Sequence, residues 1–399
     1  MISAKSVEMV EAGRPQVGAV QEPAAAGQEP KKSQRFFHLD ALRACLMFWG
    51  ILVHTSTVAK SGFFGGCAEV SGLVRMEAFF IISGFLAYML LQKYGAAKTV
   101  RKRLVAIGVP FVAALVLLNP VTNYLIYVYH NSPLPFADYL AGKGTDGGRG
   151  PMNWHLHLWF LVALFVYSLL APLLARGVDA LLDKTRSPHT RRTPFLGGEF
   201  KFLAICATVA VACLASRVAF EAVKPLLPVD ARYVLRSIGN FLPYYTLGMV
   251  LFASTDLRAV FSKAHGIQIA ASCVLLYLVR ESVGENPGRI GEAMILLSEA
   301  YVALGLSNLL FWLAEKLVRR ESPAVRFLSD SAYSVYLFHF LAIYLFAFLF
   351  RSLAPQANLM LTLVAAASFL ALVCLHAFVI RRVPALAFLF NGKPVKRAQ

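Results

Sequence analysis

The sequence predicts an all-α fold: a polytopic membrane helix bundle of about ten transmembrane helices with both termini cytosolic. Three observations predict it. Hydrophobic residues make up 58% of the 399 and charged residues 15%, against about 25% charged in soluble domains, so a water-facing surface would lack polar cover. Apolar runs of roughly 17 to 25 residues, each long enough for a hydrocarbon core about 30 Å thick, recur from Phe36 almost to the C-terminus. The 39 Lys and Arg residues also sort by side. With the N-terminus in the cytosol, about 27 fall on cytosolic segments, about 9 outside and about 3 within spans.

Most of the net charge of +17 is therefore topological and does not argue for nucleic acid. Residues 1–33, rich in Ala, Glu, Gln and Pro and without an apolar run, read as a disordered cytosolic tail and not as a signal peptide. Span cores follow at residues 36–58, 73–92, 105–128, 156–175, 201–220, 237–254, 266–280, 293–313, 331–350 and 358–380. The seventh and eighth carry the weakest signal. An even number returns the chain to the cytosol, where Arg381, Arg382, Lys393, Lys396 and Arg397 mark the exit. The membrane domain thus covers residues 34–385 and a basic cytosolic tail residues 386–399. Two longer connections interrupt the alternation, an outer Gly- and Pro-containing loop at 129–155 and a basic cytosolic one at 176–200. No internal repeat is visible, which disfavours transporter folds built from duplicated halves. Of six cysteines only Cys67 falls in an outer loop, so no periplasmic disulfide is expected, and no C-x-x-C zinc spacing occurs.

Charged groups are costly in hydrocarbon, by at least about 2.5 kcal/mol, so those inside spans locate the chemistry. The first span, FFHLDALRACLMFWGILVHTS, holds Asp40, Arg43 and His54. Eleven positions separate Arg43 from His54, about three turns plus 20°, so both share a face about 16 Å apart along the axis. Asp40 lies within about 40° of His54 on the same reckoning and at i, i+3 from Arg43. That axial distance is roughly the reach of a pantetheine arm. The other reading is an Asp40–Arg43 pair anchoring the helix, with His54 a packing residue.

The second span opens RMEAFFIISGFLAYMLL and places Glu77 near the expected depth of His54. A carboxylate beside an imidazole fixes its tautomer and raises its basicity, which suits a general base. Equally, Arg75 and Glu77 would form an interfacial ion pair. Ser83 and Gly84 are of the size that lets helices pack closely. Next, KTVRKRLVAIGVP puts Arg101, Lys102 and Arg103 at a helix start on the cytosolic side. Basic groups and free N–H groups there suit phosphates, although positive-inside topology alone also explains them. The fourth span opens NWHLHLWFL, with His155, His157 and Trp159 at the interface. H-x-H on a helix splays its rings about 200° apart, so a shared metal is not expected and only one His faces the bundle. In the ninth, LSDSAYSVYLFHF puts Tyr336 and His339 on one face at i, i+3, either as a helix-to-helix hydrogen bond or as channel lining.

Together these segments resemble acyltransferase family 3, the membrane O-acyltransferases of bacterial polysaccharide and glucan modification. Arg43, ten residues and His54 resemble its first-helix signature, and EAFFIISGFL from Glu77 its acidic-x-Phe-Phe segment. HLWFL at 157–161, LPYYTLG at 242–248 and SAYSVYLFH at 331–339 resemble three later ones. Within the family the glucan-biosynthesis branch, periplasmic-glucan succinyltransferases, is the most similar. Two departures bear on the donor contacts: a second arginine after the one matching Arg103 is missing near Ile107, and a Pro after the late His is absent at Phe340 and Leu341.

The resemblance implies a bacterial inner (cytoplasmic) membrane enzyme, an O-succinyl- or O-acetyltransferase, with succinyl-CoA or acetyl-CoA as co-substrate and no metal. On its terms the donor phosphates meet Arg101 and Arg103, and the arm passes Arg43 toward Tyr336 and His339. His54 acts catalytically with Glu77 and Asp40, while His157, Trp159 and Arg75 meet substrate. The partners it implies are membrane lipid and a periplasmic glucan or other polysaccharide acceptor, with a homodimer as an admissible assembly. On physics alone a proton-coupled secondary transporter or flippase, with His54, Glu77 and His339 as a relay, accounts for the same intramembrane groups.

Overall fold

Where water is absent, each backbone N–H and C=O must be satisfied within its own segment, and these Leu-, Phe-, Val- and Ala-rich runs do so as helices. The computed structural model describes residues 36–143, 155–185 and 197–393. The expected N-terminal tail, much of the two long loops and Lys396 and Arg397 lie outside the described residues.

Ten long helices follow one another: α1 Phe37–Thr55, α2 Gly62–Tyr94, α3 Ala96–His130, α4 Leu156–Lys184, α5 Gly198–Leu226, α6 Val229–Ala253, α7 Gly266–Val283, α8 Arg289–Leu317, α9 Pro323–Leu349 and α10 Ala357–Ile380. No strand occurs among the described residues. Nine of the ten are long and apolar enough to cross a membrane. The exception is α6, the sixth expected span, whose first half carries Asp230, Arg232, Arg236 and Asn240. The seventh and eighth expected spans, the weakest by sequence, both meet the criterion.

Boundaries differ from the sequence reading where capping overrides hydropathy. The Ser61 hydroxyl accepts from the Phe64 N–H at 3.3 Å and starts α2 there, well before the expected residue 73. Cys67 therefore lies in a helix and not in a loop. At the other end of α2, Gly95 has φ 77°, a left-handed turn that a side chain would resist, and α3 begins at once. Within α3, Pro110 is followed by a π-helical turn at Ala114–Leu118, where the lost i to i−4 bond is absorbed. A short helix, Pro384–Asn391, packs against α3 at positions the sequence assigned partly to a tail.

The bundle's outer faces expose Val112, Val116, Leu173, Val211, Val218 and Leu370, an apolar surface suited to lipid. Inside, α2 and α6 pack along much of their length because glycines face each other's backbone. A Cβ on Gly84 would lie 1.8 Å from the Tyr245 carbonyl oxygen, and one on Gly248 would lie 2.0 Å from that of Ile81. Small residues that admit such an approach replace the hydrophobic driving force that lipid removes.

Candidate active site

Helix α1 runs between two cavities. At its N-terminal end Arg43 sits 3.5 Å from Asp40 and donates from Nη2 to Ser329 Oγ at 3.4 Å. Here a cavity of about 400 Å3 opens, lined among others by Arg43, Lys102, Arg103, Tyr333, Asn391 and Lys393. Its size is at the lower end for ligand pockets, roughly 300–1,000 Å3. Arg103 is held by its Nε donating to Ser168 Oγ at 3.1 Å. Lys102 lies 4.2 Å from the Tyr94 ring centroid, which Lys93 and Lys98 approach at 5.3 and 5.7 Å. Arg101 is exposed and does not line the cavity. The basic cluster occupies the second turn of α3, not its N-terminus, so it offers side chains without free backbone N–H groups.

Farther along α1 a chamber of about 50 Å3 is lined by His54, Arg75, His157, Trp159, Tyr336 and His339. Met47, Phe79 and Phe160 line both this chamber and the basic cavity. The two spaces therefore lie end to end, with Arg43 in one and His54 in the other.

Three imidazoles meet in the chamber. Ring centroids are 5.0 Å apart for His54 and His339, 4.7 Å for His157 and His339, and 6.3 Å for His54 and His157. Phe340 packs beneath, 4.3 Å from His54 and 5.2 Å from His157. His339 Nδ1–H donates to the Tyr336 carbonyl at 2.6 Å; since a carbonyl only accepts, the neutral ring leaves Nε2 as its acceptor, and that atom has no hydrogen-bond partner. Both ring nitrogens of His157 are likewise buried without one. Among the described residues the rings do not form a metal-ligating group.

His157 enters through unusual backbone. It lies in a 3-10 turn, Leu156–Leu158, that opens α4, and Leu156 has φ 46°, the positive value found at no other non-glycine among the described residues. Such a conformation costs about 1–3 kcal/mol and persists where surrounding contacts impose it. Here His155 Nδ1–H donates to the Leu156 carbonyl at 3.0 Å, and Tyr336 O–H donates to the His157 carbonyl at 2.8 Å. Tyr336 thus supplies a helix-to-helix hydrogen bond, His339 bonds only within its own helix, and both line the chamber. Trp159 stacks on Phe241, centroids 5.6 Å apart.

Two expected partners of His54 are elsewhere. Asp40 is about 21 Å away along the α1 axis and belongs to the Arg43 end. Glu77 is two positions from Arg75, about 200° around α2, and lines a third cavity of about 430 Å3 with Glu69, Tyr244, Arg280 and Glu299. Its Oε2 is buried without a hydrogen-bond partner, and no Arg75–Glu77 ion pair forms. Arg75 instead turns to the His54 side: Nε donates to Ser71 Oγ at 2.8 Å and Nη1 lies 2.9 Å from where a Cβ on Gly50 would be. Sequence reasoning gave no site role to Gly50, Met47, Asn391, or Lys393, which it took only as a marker of the cytosolic exit, nor to Phe79 and Phe160, which it quoted only within longer motifs. The small residue at Gly50, one turn before His54 on α1, and the motif positions of Phe79 and Phe160 offered a signal.

A family model described as an acyltransferase domain, that of acyltransferase family 3, matches residues 36–380. The chain belongs to acyltransferase family 3. It is similar to glucans biosynthesis protein C of Escherichia coli strain K12, 24% identical over 401 residues that cover 93% of this chain and 98% of that protein. The protein of the same name from Escherichia coli O157:H7 is 25% identical with the same coverage. No solved structure matches. For this family-3 chain the site offers what acyl transfer needs: imidazole nitrogens for proton transfer or covalent catalysis, a guanidinium beside them, and an adjoining basic cavity.

Proposed function

We propose that the protein is an integral membrane O-acyltransferase that moves a succinyl or acetyl group from cytosolic acyl-CoA to a hydroxyl of a glucan or other polysaccharide on the periplasmic side. The observation that carries this reading is the end-to-end placement of the Arg43 cavity and the His54 chamber across the shared wall of Met47, Phe79 and Phe160. Arg43, Lys102, Arg103 and Lys393 suit the phosphates and amide-bearing arm of a coenzyme A thioester. The thioester carbon then reaches the chamber. His54 takes the proton of the acceptor hydroxyl as its oxygen attacks that carbon, the C–S bond breaks, and the thiolate leaves and is protonated. If His54 is instead acylated first, the acceptor oxygen displaces the imidazole in a second step.

This reading takes α6 as a tenth span, both termini as cytosolic and the bacterial inner membrane as the location. The similarity to glucans biosynthesis protein C supports a glucan acceptor. The test is purified protein in detergent with labelled acetyl- and succinyl-CoA, following thioester loss for wild type and His54→Ala. Turnover of at least one donor, lost in the variant, is the expected result. An intact thioester, with substrate movement seen only in sealed vesicles, would establish a carrier instead.

A further inference from the structure

Arg75 is a guanidinium inside a membrane bundle with no carboxylate in contact with it. Among the described residues it forms no ion pair, and its one side-chain hydrogen bond is Nε to Ser71 Oγ at 2.8 Å. Glu77, the nearest acid in sequence, faces a different cavity. Its Nη1 lies over Gly50, where the missing Cβ leaves room for it, and the side chain lines the chamber that holds His54. Arginine keeps its charge in proteins, and a buried charge without a partner is strongly unfavourable. The chamber therefore calls for an anion.

Its size and the geometry of the fork say which. A space of about 50 Å3 accommodates only a few water-sized groups, enough for a short acyl chain and too little for a sugar ring. With Nε tied to Ser71, the free edge is the Nη1–Nη2 pair, whose parallel donors match the two oxygens of a carboxylate. A single developing oxyanion calls for donors that converge on one oxygen, not for two parallel ones.

We propose that Arg75 selects the acyl group, its Nη1–Nη2 edge binding the far-end carboxylate of a dicarboxylic acyl chain whose thioester end lies at His54. The inference rests on the acyltransferase reading above and narrows its donor to a dicarboxylic thioester.

The test compares succinyl-CoA with butyryl-CoA, which has the same four-carbon chain and a methyl in place of the carboxylate. Thiol release by the full-length protein in detergent gives kcat/KM for each. Wild type is expected to favour succinyl-CoA by about 30-fold or more. Arg75→Gln brings the ratio toward one, and Arg75→Lys, which keeps the charge but loses the fork, falls between. Gly50→Ala tests the same point without removing the charge, because its Cβ would sit 2.9 Å from Nη1 and displace the guanidinium; it also lowers the ratio. Where size exclusion finds Arg75→Gln unfolded, Gly50→Ala and Arg75→Lys decide. A wild-type ratio near one overturns the inference, as does a fall in both rates at constant ratio, the signature of an oxyanion role. Loss of neither thioester by wild type is a different failure, that of the acyl-CoA reading, and removes this inference with it.

Discussion

His54 of α1 and His339 of α9 face each other with ring centroids 5.0 Å apart and planes tilted by 42°. No carboxylate intervenes, so the imidazole expected to be tuned by Glu77 is instead surrounded by two more imidazoles and a guanidinium. If the two rings act as a unit, their removals do not add. His54→Ala is expected to lower thioester turnover by about 10²–10⁴-fold, His339→Phe by about 10-fold or more, and the double variant no further than His54→Ala alone. Additive losses in kcat would show that the rings act independently.

Glu77→Gln is expected to leave thioester consumption within about 3-fold of wild type, because Glu77 lines another cavity and does not line the chamber. A loss as deep as that of His54→Ala would mean that the carboxylate reaches the histidines during turnover.

Met47 stands in the wall common to both cavities. Met47→Trp fills that junction at an overpacking cost of about 1–3 kcal/mol, so the protein should still purify folded. The expected kinetic outcome is a fall of kcat/KM for acyl-CoA by about 10-fold or more. An unchanged value would mean that the donor does not pass this point.

Arg43→Gln removes a charge-assisted contact in the basic cavity and is expected to raise KM for the donor by about 10-fold, with a weaker dependence of KM on salt than wild type. Steady-state assays at low and high salt check both.

Gly84→Ala and Gly248→Ala each drive a Cβ onto a backbone oxygen of the facing helix, at 1.8 and 2.0 Å. Backbone cannot yield as a side-chain tip can. A loss of more than about 3 kcal/mol of stability, read as thermal aggregation in detergent, is expected for either.

The polar stripe of α1 was legible in the sequence because an eleven-residue spacing fixes a common face on any straight helix. The chamber's other walls were legible only in depth. Glu77 and His54 share a level, but level says nothing of rotation, and α2 presents Arg75 to the chamber and Glu77 away from it. Of His155 and His157, His157 joins His54, through a left-handed Leu156 that helical periodicity cannot anticipate. Nine of the ten long helices show in hydropathy. The start of α2 does not, because the Ser61 cap extends it beyond the apolar core.

The interlocked glycines of α2 and α6 also bear on how the molecule moves. Two rods whose main chains touch cannot slide or roll on one another without collision, so they behave as a single plank. Any breathing that admits a long, thin donor must then come from the opposite wall, where α1 and α9 meet through side chains that change rotamer readily. The plank carries Arg75 and the movable wall carries His54 and His339, so the gap between guanidinium and imidazole is the dimension that each breath alters.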